Sequence, residues 1–108
     1  MSFDMNKMLR EAQRMQEELV KAQEEAATEV VEASAGGGMV TVKANGAGEV
    51  LAIVIDPRAI DPDDPELLAD MILAAVNEAL RSARGLMESK VSGLTGDLGG
   101  LSGLLPGS

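Results

Sequence analysis

The chain contains no cysteine and no histidine, a single aromatic residue in Phe3, and half as many cations as carboxylates, nine Lys and Arg against 18 Asp and Glu. Each deficit closes off a class of chemistry. Without Cys there is neither a disulfide framework nor a thiol nucleophile, and without His there is no imidazole base or proton shuttle. Most catalytic constellations fall with those two residues. One aromatic ring leaves the core to Leu, Ile, Val, Ala and seven Met, and it provides no platform for stacking single-stranded bases. No run of about 18 uncharged apolar residues is present, so no membrane span is expected. Residues 1–10 carry Asp4, Lys7 and Arg10 and lack the apolar stretch of a signal peptide. The expected address is the cytoplasm.

A length of 108 residues makes room for one domain, and a chain this short buries only a modest share of its surface alone. Methionine fills gaps without specifying a rigid core, which favours burial against a second subunit. The net charge of −9 argues at first against a nucleic-acid partner, but its distribution is uneven. Residues 1–21 set four cations against four carboxylates, residues 22–70 set two against eleven, and residues 71–108 set three against three. The excess acid is confined to the middle of the chain.

Residues 4 to about 27 lack Gly and Pro and are rich in helix formers. Met5, Met8, Ala12, Met15, Leu19, Ala22 and Ala26 recur at alternating steps of three and four, a heptad seam suited to lengthwise packing on another helix. Asp4 is the expected N-cap. A helix of that size would be about 36 Å long and would overhang any core this chain can build. The seam is therefore an expected dimer contact. Beyond it, residues 29–34, 39–45 and 49–56 gain β-branched residues and predict three strands. Gly36-Gly37-Gly38 and Asn45-Gly46-Ala47-Gly48 supply hairpin turns between them, which makes the sheet antiparallel. Residues 50–55 are apolar at every position, which predicts a central or doubly covered strand. Asp63 or Asp64 caps a second helix running to about residue 90, with an apolar face of Leu68, Ile72, Val76, Ala79, Ala83 and Leu86. From residue 92 onward the composition turns to Gly, Ser and Leu, a flexible tail whose Leu residues could dock onto an apolar groove.

Three motifs invite chemistry and are better explained otherwise. Asp56, Asp61, Asp63, Asp64 and Glu66 crowd one loop, but they lack the ligand order and central Gly of an EF-hand, and turn formation and capping account for them. Gly36 to Gly38 are followed by Met39 and a strand rather than by Lys-Ser and a helix, so they form no phosphate loop. The stripe of Met5, Met8 and Met15 could accept a peptide, although its register suits ordinary helix packing. More telling are Lys7, Arg10, Arg14 and Lys21, which form a ridge opposite the seam. A charged outer face is by itself only a solvated face. Here, however, a strongly acidic protein keeps this ridge and the Arg81, Arg84 and Lys90 region free of net negative charge, and cations projecting on an overhanging helix are what phosphate contact requires.

Gly36-Gly37-Gly38-Met39-Val40-Thr41-Val42, Asn45-Gly46 with Gly48-Glu49-Val50, Ile55-Asp56-Pro57 and Ala74-Ala75-Val76-Asn77-Glu78-Ala79-Leu80 occur in the order and at the spacing of a known family. With the Met/Gln/Glu-rich first helix, residues 4–91 resemble the YbaB/EbfC family of bacterial nucleoid-associated proteins. The resemblance implies an α+β fold in the order αβββα, a three-stranded antiparallel sheet with two long helices, in a tweezer-like homodimer that binds double-stranded DNA. Residues 1–91 would be the dimerisation and DNA-binding domain and residues 92–108 the Gly/Leu-rich flexible tail. It implies DNA contacts at Lys7, Arg10 and Arg14 and also at Arg81, Arg84 and Lys90. It brings no enzyme activity, cofactor, metal, membrane or small-molecule substrate. The uncharged tail departs from the family's pattern and puts a tail contribution to DNA contact in doubt. Gln13, Gln16 or Asn6 could read adenine edges and an Arg guanine. The alternative reading is an interaction module for a DNA replication or recombination factor, using the Met seam and the acidic body. A third, a metal-dependent enzyme on the acidic loop, lacks the ligand order.

Overall fold

A computed structural model describes residues 4–96 of the chain. The first helix, α1, spans Met5–Thr28. Asp4 caps it, its side-chain oxygen accepting from the Lys7 amide at 3.1 Å, so an orphan donor and the positive end of the helix dipole meet a carboxylate. Three strands follow, β1 (Val30–Ala35), β2 (Val40–Asn45) and β3 (Val50–Ile55). They form one antiparallel sheet in the order β1-β2-β3. At the first turn Gly36, Gly37 and Gly38 all take positive φ, a conformation side chains resist. At the second, the Asn45 side chain accepts from the amides of Ala47 and Glu49 at 3.0 and 3.1 Å, closing the turn on itself. A short 3₁₀ segment, Pro57–Ala59, leads to the long second helix, α2, over Pro65–Gly96. Asp64 is its cap, accepting from the Leu67 amide at 3.3 Å.

The core is one helix on one sheet. Val40, Val42 and Ala44 of β2 and Ala75, Ala79 and Ala83 of α2 are completely buried, with Ala33 of β1 beside them. Val31, Ala35, Leu68, Met71, Ile72 and Val76 pack around this centre. The helix lies over β1 and β2 and scarcely meets β3. As a result Ile53, which pairs with Val42 on the inner face, stays 45% exposed, and Val54 on the outer face 57%. The register slips between Lys43 and Ala44, leaving Leu51 as the extra residue of a bulge at this edge.

Two expectations change. β3, expected at the centre because both its faces are apolar, is an edge strand, and the central strand is β2, with Val40, Val42, Ala44 and Asn45 buried. Apolarity reports how much of a strand could be covered, and within one chain α2 is wide enough to cover only β1 and β2. The second helix also runs six residues past the expected end near residue 90, to Gly96, because its last turns lie against α1, with Lys90 ion-paired to Glu29. The rest of the expected tail, residues 97–108, lies outside the described residues.

Gly46 shows how tightly α1 is joined to the sheet. Its amide donates to the Ala26 carbonyl at 2.9 Å, and a Cβ at residue 46 would stand 2.5 Å from that oxygen. Gly46→Ala is expected to destabilise the fold by about 1–3 kcal/mol through forced separation of α1 from the second turn, measurable as a lowered midpoint in thermal or urea unfolding followed by circular dichroism.

Candidate nucleic-acid interface

Only the last part of α1 is fastened to the body. Ala22 and Ala26 are buried, Leu19 is half-buried, and every residue from Asp4 to Glu17 is exposed. The helix therefore leaves the body as an arm whose first three to four turns touch no other described element closely enough to be covered. Lys7, Arg10, Arg14 and Lys21 are all exposed on it. Residues seven apart fall on the same line of a helix, so Lys7, Arg14 and Lys21 are aligned, about 10 Å apart along the axis, with Arg10 between the first two. Among the described residues, none of these four is ion-paired with a carboxylate, although the carboxylates of Glu11, Glu17 and Glu18 sit three or four positions away. Their donors are turned to solvent.

The three cations of the second helix differ from one another. Arg84 is exposed and unpaired among the described residues. Arg81 donates to Glu78 at 2.9 Å, an exposed pair one turn apart, which is easily broken because solvent screens it. Lys90 is held at the junction of α2 and α1 by Glu29. The hydrogen bond to Glu29 raises its pKa above the ordinary lysine value, with the Glu29 and Glu25 charges acting the same way. Lys90 thus serves first as a fastener between the helices. The six candidate cations form no single cluster: three lie on the free part of α1, two on the flank of α2 and one at the junction.

At the opposite end of α2, three carboxylates of the acidic loop are engaged within the loop and the helix start. The Asp56 carboxylate takes a fork of hydrogen bonds from Arg58, 2.8 Å at the shortest, and this guanidinium holds its pKa below the usual carboxylate value. Asp61 accepts from the Asp63 amide and Asp64 from that of Leu67. Among the described residues no group of three His, Cys, Asp or Glu side chains is placed to hold a metal ion. None of the described helices is long and apolar enough to cross a membrane. What sequence reasoning missed is the open β3 edge and the part played by Lys90. The unbroken apolar run of β3 was the available signal for the first; a pairing across some sixty residues leaves none for the second.

Comparison with known proteins identifies the family and the fold. Residues 1–98 match the YbaB/EbfC DNA-binding family. A nucleoid-associated protein of Acetivibrio thermocellus is 50% identical over 101 residues, covering 94% of this chain and 89% of the relative. One of Saccharopolyspora erythraea is 45% identical over 108 residues, covering 96% and 93%. In three dimensions the chain is similar to an uncharacterized protein, HP0035, of Helicobacter pylori, with a TM-score of 0.69 at 23% identity, over 90% of this chain and 98% of that one.

The Lys90 fastener carries its own expectation. Because the folded pKa of Lys90 is raised, the pair's stabilisation is complete below the ordinary lysine value and disappears as pH climbs through the folded one. Lys90→Met should therefore speed amide exchange in the last turns of α2 at neutral pH, with the difference from the parent shrinking in strong alkali.

Proposed function

The chain belongs to the YbaB/EbfC DNA-binding family, and from that premise we propose that it is a non-enzymatic, homodimeric nucleoid-associated protein whose two α1 arms hold the backbone of double-stranded DNA in the bacterial cytoplasm. The observation that carries the reading is the row of unpaired cations, Lys7, Arg10 and Arg14, on the uncovered part of α1 in a chain whose net charge is −9. The arm lifts them away from the carboxylates of the body. Unpaired, solvated cations can release phosphate counterions on contact without first giving up a partner. Arg84 extends the surface along α2. Arg81 can join it by exchanging Glu78 for phosphate, and Lys90 contributes mainly by holding the two helices together. No cofactor, metal or small-molecule substrate enters this reading.

Dimerisation follows from β3. Val50, Leu51, Ile53 and Val54 are 40%, 52%, 45% and 57% exposed on an edge strand, and such an edge with apolar faces is an association site. A second copy of the chain would cover it and set two arms side by side. The exposed seam of α1 favours the other reading, a module that binds a replication or recombination protein.

One set of measurements separates the two. With three phosphate contacts from each of two arms, log K for a mixed-sequence duplex should fall with log salt at a slope of about −5. Arg10→Glu with Arg14→Glu should nearly abolish binding while circular dichroism and sedimentation stay those of the parent. If that variant binds as the parent does with an unchanged slope, the ridge is only a solvated face and the protein-interaction reading takes its place. Ile53→Asp should convert a two-chain species at micromolar concentration into a folded single chain with weaker DNA binding, and a variant that remained a dimer would rule out the β3 edge.

A further inference from the structure

The exposed part of α1 carries two surfaces, and a line of carboxylates runs between them. Met5, Met8 and Met15 are 62%, 53% and 44% exposed, Leu9 is 56% exposed, and Ala12 lies exposed among them. These five side chains make an apolar strip about 15 Å long over the first turns of the helix. Past Met15 the seam enters the junction with α2, where Gly93 and Leu94 share a groove with Glu18, Lys21 and Ala22. Glu11 and Glu18 follow Lys7 and Arg14 by four positions and Met8 and Met15 by three, so each stands between a ridge cation and a seam methionine. Neither carboxylate is ion-paired among the described residues. A cation four positions before a carboxylate is the weaker order for pairing along a helix, which leaves both free for an outside partner. The opposite border of the strip is uncharged, with Leu9 and Gln16 four positions after Met5 and Ala12.

The charged border decides what covers the strip. A second copy of α1 laid antiparallel sets its line of Glu11 and Glu18 against the same line, like charge on like charge; laid parallel, it sets that line against Leu9, Gln16 and Gln23, which offer no cation. Phosphate is refused as well, because the carboxylates beside the methionines repel it. What fits is an apolar helical stripe with a cationic edge. We propose that the methionine strip of α1 is a docking surface for an amphipathic helix of another protein, which lays apolar side chains on Met5, Met8, Leu9, Ala12 and Met15 and sets Lys or Arg against Glu11 and Glu18. The Lys7, Arg10 and Arg14 ridge stays open on the far side of α1, so this contact adds to the DNA reading and does not replace it. The carboxylate line keeps the two ligands apart: it repels phosphate from the strip and holds the partner's cations away from the ridge.

The probe is a fluorescein-labelled synthetic peptide of about two heptads, with Leu at the a and d positions, Lys at e and g, and Ala or Gln elsewhere. A second peptide has Glu in place of each Lys. Binding to the full chain is read by fluorescence anisotropy with no DNA present, so its outcome is separate from that of the ridge. The Lys peptide should bind saturably, and the Glu peptide at least roughly tenfold more weakly. Glu11→Lys with Glu18→Lys should weaken the Lys peptide roughly tenfold, whereas Glu17→Lys with Glu24→Lys, an equal change of charge off the strip, should have hardly any effect. Met8→Gln with Met15→Gln keeps the charge and the helix propensity and should abolish binding, with circular dichroism of every variant matching the parent. A parent chain that does not bind the Lys peptide would overturn the proposal. Equal losses in the two charge-reversed pairs would do the same, since the attraction would then be to net charge alone. So would a Met8→Gln, Met15→Gln chain that binds as the parent does, or one that sediments as a single chain where the parent is a dimer, which would make a second copy the occupant.

Discussion

Ala75, Ala79 and Ala83 present nothing larger than methyl groups where α2 crosses the sheet, and all three are wholly buried against Val40, Val42 and Ala44. Small side chains on both sides bring helix and sheet close together, and close packing recovers in dispersion what the core lacks in large side chains. The line of this contact also sets where α2 points. It covers β1 and β2, leaves β3 open, and carries the helix past the sheet to Gly96, where it meets α1.

The two ends of the molecule follow from that placement. At one end, the carboxylates of Asp56, Asp61 and Asp64 are taken up by Arg58, by a turn and by capping. At the other, α1 is tied down near its C-terminal end, through Ala22, Ala26, the Gly46 approach and the Lys90–Glu29 pair among others, and its exposed first turns project. An acidic protein thereby keeps a cationic surface by distance rather than by composition. Solvent-exposed charges separated by more than about 10 Å are largely screened from each other at ordinary salt, so carboxylates on the body weaken the field at Arg10 only slightly.

Among the described residues the β3 edge and the α1 seam are both apolar and exposed, and their characters differ. The β3 edge offers backbone hydrogen bonds as well as side chains, which suits another sheet edge or a second subunit. The α1 seam offers side chains at heptad spacing with no free backbone groups, which suits a helix-like segment. One chain can therefore use the two for different contacts without competition between them.

Much of this was legible in the amino-acid order alone. The Asp4 cap, the strands, the glycine turns and the alanine and valine stripe of α2 are local or periodic features, and local propensity and period dictate them. The cationic ridge was legible for the same reason, since residues seven apart on a helix share a line wherever the helix goes. The position of β3 was not, because a run apolar on both faces states a need for cover and not which element meets it. Nor was the division of the cations into free and fastened ones: Lys90 and Arg84 are alike in sequence, and only the approach of Glu29 across some sixty residues separates their roles. Sequence periodicity thus determined which faces each element carries, while tertiary packing decided which of those faces find a partner, because contact depends on the crossing of whole elements and no local pattern encodes it.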